Sequence, residues 1–201
     1  MDLNQLIGQY LSDDTLAGMA SQAGIQDPNQ GVAAAKSIMT TLMQGLANNS
    51  TSQEGAGSLL GALERHHDGS ILDNLSGFLS MAGSGSQEQP MLNAAGILGH
   101  ILGFKQQNVA QGVSQVFKLD MSTVLKLMGI LAPVLMGLLG KARASNQIDT
   151  GNIGQVLGQT VQQTTQQNSG LGIFGRLLDT NNDGRISDDL LQMGMNLLLK
   201  R

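Results

Sequence analysis

The sequence predicts an all-α, multihelical protein, and three observations carry that prediction. Aromatic residues are nearly absent, with four Phe, one Tyr and no Trp, so the core must be filled by Leu, Ile, Val, Met and Ala. Apolar residues recur at i, i+3, i+4 and i+7, and no stretch alternates with the period of two that a half-buried strand needs. Helix-start signals precede several of these apolar stripes. Eleven Met and twenty-seven Gly fit the same class. Methionine fills irregular gaps, and glycine at helical spacing either ends a helix or lets two backbones approach.

In chain order, Leu3, Leu6, Ile7, Tyr10 and Leu11 make an amphipathic N-terminal helix. Ser12 caps the next one, with Asp13 and Asp14 matching its dipole. Asp27 before Pro28 is an N-cap followed by proline at the first helical position, where its missing N–H costs nothing. Behind it Val32, Ala35, Ile38, Met39, Leu42, Met43 and Leu46 form one apolar stripe, and Asn48 and Asn49 end it. Thr51 and Glu54 make a capping box before "GSLLGALE". "GSGSQEQP", 83–90, reads as a flexible joint. Asp120 caps a helix whose residues from Val124 to Leu139 leave almost no polar face, so it belongs in the centre, kinked at Pro133. Its apolar stretch "LMGILAPVLMGLLG" has fourteen residues, fewer than the eighteen or so a spanning helix needs. In the Gln- and Thr-rich segment 145–169, Ile153, Val156, Leu157 and Val161 keep helical spacing and make a marginal helix between two loops.

The chain also repeats itself. "LAGMASQAGIQD" (16–27) aligns with "VAQGVSQVFKLD" (109–120), and "LMQGLAN" (42–48) with "VLMGLLG" (134–140), which pairs Gly45 with Gly137. "HHDGSILDNL" (66–75) aligns with "NNDGRISDDL" (181–190). Three matches in one order indicate two degenerate helical repeats, each followed by an Asp-Gly loop. The expected organisation is a first repeat over 1–82, a linker at 83–90 and a second repeat over 91–201, or one continuous domain.

A net charge of −4 with eleven scattered Lys and Arg provides no basic stripe, which disfavours nucleic acid as a partner. The lack of cysteine excludes disulfides, thiolate metal sites and thiol nucleophiles. The opening "MDLNQLIGQYL" has Asp2 where a secretory leader carries a base, so no signal peptide is read, and with no spanning helix the cytoplasm is the default location.

With "AGILGHILG" (95–103), "LAPVLMGLLG" (131–140) and the Asp-Gly loops in view, the chain resembles the bacterial YidB-like family, a domain of unknown function. The resemblance covers nearly the whole chain and implies an all-helical fold with a buried Ala-Pro-x-x-Met-Gly helix followed by acidic stretches. It implies no activity.

Chemistry concentrates in the last acidic stretch, an EF-hand-like loop. Asp179, Asn181 and Asp183 occupy positions one, three and five of a calcium loop, Gly184 the sharp turn, and Arg185 offers its carbonyl at seven. Ser187 at nine can hold a water, and Asp188 and Asp189 follow. Calcium is therefore the expected cofactor. Leu190 stands where the bidentate glutamate belongs, so the affinity expected is toward the weak end, about 10⁻⁵ to 10⁻³ M. The alternative is an Asx turn with Ser187 as a helix cap and the two aspartates matching its dipole.

The aligned first loop offers a degenerate second site of Glu64, His66, Asp68 and Asp73, in which imidazole is a poor calcium ligand. Zinc through His66, His67 and Asp68 is a further reading, but adjacent histidines project differently. His100 is read as a core or groove residue. No serine or carboxylate is paired with a histidine in a catalytic pattern. The expected function is thus a non-enzymatic calcium-binding helical protein, a structural module or one that interacts with a protein partner or with itself. The alternatives are a metal-independent oligomeric assembly protein and, last, a membrane-active helical protein.

Overall fold

The computed structural model describes residues 3–83 and 90–167, and every regular element in them is helical. The order is α1 (Leu3–Tyr10), α2 (Asp13–Ala23), α3 (Pro28–Asn49), α4 (Gln53–His66), α5 (Ser70–Asp73), α6 (Leu75–Gly83) and α7 (Pro90–Leu102). A 3-10 turn (Gly103–Lys105) then leads to α8 (Gln106–Phe117), α9 (Met121–Ala144) and α10 (Ile153–Gln167). The chain divides into one unit over 1–161 and another over 162–201, and the core described here is that of the first.

That core is built around α9. Residues 130–140 of this helix are buried without interruption, and Leu127, Leu131, Leu135, Leu138 and Leu139 are completely so. Each such side chain gains roughly 1.5–3 kcal/mol over an exposed one. α1, α2, α3, α4 and α5 pack on α9 from one side of the 83–90 joint, and α7 and α8 from the other. Helices on both sides of the joint therefore share one core. Gly83 closes α6 and Pro90 opens α7, while 84–89 lie outside the described residues.

α9 is longer than its apolar stretch suggests. With 24 residues it is long and apolar enough to cross a membrane, but 78% of its most apolar window is buried inside the fold. It also runs on through Pro133 as one helix. Proline offers no N–H to the carbonyl of Gly129 one turn earlier, and packing on several sides holds the helix together across that gap.

The caps show where local chemistry decides and where it does not. The Ser12 side chain accepts from the Thr15 N–H, and the Asp27 carboxylate accepts from the N–H groups of Asn29 and Gln30. Both starts are where the sequence places them. The cap of α4 is Ser52, whose hydroxyl accepts from the Gly55 N–H at 3.0 Å, while the Thr51 hydroxyl donates back to the Asn48 carbonyl. The expected capping box does not form: the cap moves to Ser52, and N3 falls on Gly55, which has no side chain to reach back. Asp120 stands at the N-cap of α9 with no side-chain capping bond.

The aligned segments are alike in element order, since α2–α3 and α8–α9 are each a shorter helix, a tight turn and a longer helix with Asp at its N-cap. The paired glycines are also alike. A Cβ on Gly45 would stand 2.9 Å from Cγ2 of Ile101, and one on Gly137 would stand 2.4 Å from Cγ2 of Ile71. In both places a missing side chain lets an isoleucine reach a helix backbone. The third aligned segment, 181–190, lies outside the described residues.

Candidate metal centre

The stronger of the two candidate loops, with Asp179, Asn181, Asp183, Arg185, Ser187, Asp188 and Asp189, lies outside the described residues. The degenerate loop at 64–73 is described, and it is not an open loop. Its first two candidate ligands, Glu64 and His66, are still inside α4. Two residues apart on a helix, they project in well-separated directions and do not face one ion together. Asp68 turns back on its own chain, where its Oδ1 accepts from the Ser70 N–H at 3.0 Å. Asp73, at the end of α5, accepts from Lys141 Nζ at 2.5 Å. Among the described residues no group of three or more His, Asp and Glu side chains is placed to hold a metal ion. In this arrangement the four candidates of this loop are not gathered as one ligand shell, and neither are His66, His67 and Asp68.

The acidic residues answer instead to the last turn of α9. Lys141 pairs with Asp73 and Arg143 with Glu64. Because these two bases are also two positions apart on a helix, they diverge, one toward α5 and the other toward α4. Lys141 reaches a third element as well, since its Nζ stands 5.3 Å from the ring centroid of Tyr10 on α1, within cation–π range. The hydrogen bond that Lys141 donates to Asp73, followed by that with Tyr10, raises the lysine's pKa above its ordinary value.

Backbone contact seats the loop on the helix. A Cβ on Gly140 would lie 1.8 Å from the His67 carbonyl oxygen, and one on Gly69 would lie 2.5 Å from Lys141 Cγ. Gly69 also has φ of +96°, which side chains rarely tolerate. His67 is half-buried against this seam, with its ring edge-on to that of His66 at 6.5 Å. Burial and then the charge of His66 push its pKa down, against the opposing pull of Asp68. Asp68 itself is held below the usual carboxylate range, chiefly by the Ser70 N–H.

A model of a family of bacterial proteins of unknown function, DUF937, matches residues 5–142. The chain belongs to this family. The DUF937 match runs from α1 almost to the end of α9 and includes the seam of Gly137, Gly140 and Lys141. It stops one residue before Arg143 and well before the loop at 179–189. A bacterial family of unknown function is what the sequence resemblance implied, but over nearly the whole chain, whereas the match ends at residue 142. No curated protein and no solved structure matches the chain.

Sequence reading missed Lys141 and Arg143. A signal for them was present, in that two bases close a helix that is apolar from Leu127 to Gly140 and follow two glycines at i, i+3 spacing. His100 was also misplaced. Ile97, Leu98, Ile101 and Leu102 are the buried face of α7, so His100 falls on the exposed side. Its carbonyl, with that of Ile101, accepts from Asn49 Nδ2 at 2.9 and 3.1 Å, which serves two of the carbonyls left open at the helix end.

Proposed function

We propose that the chain is a non-enzymatic helical module, structural or protein-binding, whose metal chemistry is confined to a calcium loop at Asp179–Asp189. The observation that carries the first half is the use made of ionisable groups near the core: Lys141, Arg143, Asp73 and Glu64 brace helices, and Asp68 caps a turn. These groups are tied to one another and not presented together to a substrate.

The calcium half is supported by composition at the loop. Acceptors at positions one, three and five, a glycine at six and two further carboxylates provide hard oxygens in the number the ion takes. Calorimetry and thermal melting test it, with protein stripped by chelator and then titrated with calcium chloride. At a hundredfold excess over the dissociation constant the ion adds about 2.7 kcal/mol. The paired substitution of Asp179 and Asp183 by Ala abolishes that gain and leaves the helical content intact. A melting temperature indifferent to millimolar calcium refutes the calcium half.

The metal-independent reading, a self-associating scaffold, draws on exposed apolar side chains. Phe104 is 105% exposed, Met81 58%, Val116 45% and Met121 41%. Sedimentation with and without chelator separates the two, since this reading requires an oligomer in both.

A further inference from the structure

We propose that α5 and α6 form a strap that lifts from the fold as a unit, while the pivot at His67–Gly69 stays seated on α9. The two parts are attached in different ways. At the pivot, backbone meets backbone: the His67 carbonyl rests on Gly140, and Gly69 sits against the Gly137 carbonyl and the Lys141 N–H. No side-chain motion opens such a contact.

Beyond the pivot, attachment to α9 is through the side chains of α5, and α6 adds little to it. α5 has four residues, and the side-chain bond at its start is local, from the Ser70 N–H to Asp68 Oδ1, and does not reach α9. Leu72 is its buried apolar anchor, and Ile71 is half-buried with its Cγ2 over Gly137. On α6, Leu75, Phe78 and Leu79 are all half-buried and Met81 is exposed. This helix leans on α2 and α5 and makes no substantial contact with α9. The Lys141–Asp73 pair adds a pin between side chains that are 27% and 65% exposed, which is worth little in water. Regions with few buried apolar contacts open at lower free energy than the core they lie on. Opening here uncovers Gly137 and the socket of Leu72 on a helix that otherwise has no solvent-facing apolar surface along its middle.

Hydrogen exchange on the full chain, read by mass spectrometry at neutral pH, tests this directly. Amides of 71–81 are expected to exchange at least roughly tenfold faster than those of 127–139. Leu72→Ala should accelerate 71–81 by a further tenfold or more, leaving 127–139 unchanged. Lys141→Gln should act in the same direction and to a smaller extent. Equal rates in the two segments of the unaltered protein overturn the proposal without any variant. Uniform acceleration of both segments by Leu72→Ala also overturns it, because the strap would then be part of one cooperative unit.

Discussion

The carbonyl oxygen of His67 occupies the space that a side chain at position 140 would need, 1.8 Å from the place of its Cβ. The contact joins the end of α4 to the last turns of α9 through main-chain atoms on one side, and neither partner has a rotamer with which to yield.

Gly140→Ala is therefore expected to destabilise the fold by about 2 kcal/mol or more, as overpacking against backbone does. Gly99→Ala is the contrast. It lies on the exposed side of α7 with nothing within 4 Å of its Cβ position. It should stabilise the protein by roughly 0.5–1 kcal/mol, the ordinary gain of Ala over Gly in a helix. Urea melts of the two variants check both signs.

Asp27→Ala should cost about 1 kcal/mol, because its carboxylate serves two helix N–H groups, whereas Asp120→Ala should cost a few tenths at most. The same logic separates neighbours at the start of α4, with Ser52→Ala costing more than Thr51→Ala. Equal losses within either pair would contradict the capping seen here.

Mild acidification should weaken the fold through His67. The folded pKa of His67 is depressed, so the unfolded chain binds its proton more readily. The contribution of neutral His67 is complete above its ordinary value of 6.5 and is lost as pH falls below it. Asp68, also depressed, adds a contribution lost only at more acid pH, as it falls from the ordinary 3.8 through the folded value. Lys141 behaves oppositely, its raised pKa giving stability that is present below 10.5 and lost as pH rises through the folded value. Melting temperatures between pH 7.5 and 5.5 should fall in the parent and fall less in His67→Gln.

Glu64→Gln and Asp73→Asn should leave any response to calcium unchanged. Each loses at most about 1 kcal/mol of stability, in keeping with partly exposed pairs. A calcium-induced rise in melting temperature that disappears in either variant would return 64–73 to the list of metal sites.

Much of the fold could be read in the residues themselves. The starts at Ser12 and Asp27 are set by side chains two or three positions from the N–H groups they serve, so sequence alone contains both partners. The central place of α9 follows from its lack of any polar face between Leu127 and Leu139. Thr51 and Ser52 were harder to tell apart, because both hydroxyls stand within reach of the first turn and the chain's approach angle chooses between them. The pairing of Lys141 and Arg143 with Asp73 and Glu64 spans 68 and 79 residues. Only the packing of α4 and α5 on α9 brings those charges together, and no local pattern encodes it. The alignment of 64–73 with a calcium loop likewise counted positions without knowing that α4 continues through the first three of them.

Placing the most buried helix behind those that pack on it, with only Ile148 and the buried residues of α10 to follow in this core, has a consequence for biosynthesis. The ribosome delivers α1 to α8 before the element against which most of them settle, so the growing polypeptide must wait with its inward faces uncovered. Closure of the core therefore waits for Met121–Ala144 and for Ile153 and Leu157 behind it, and a chain truncated before α9 would leave those inward faces open to chaperones and proteases.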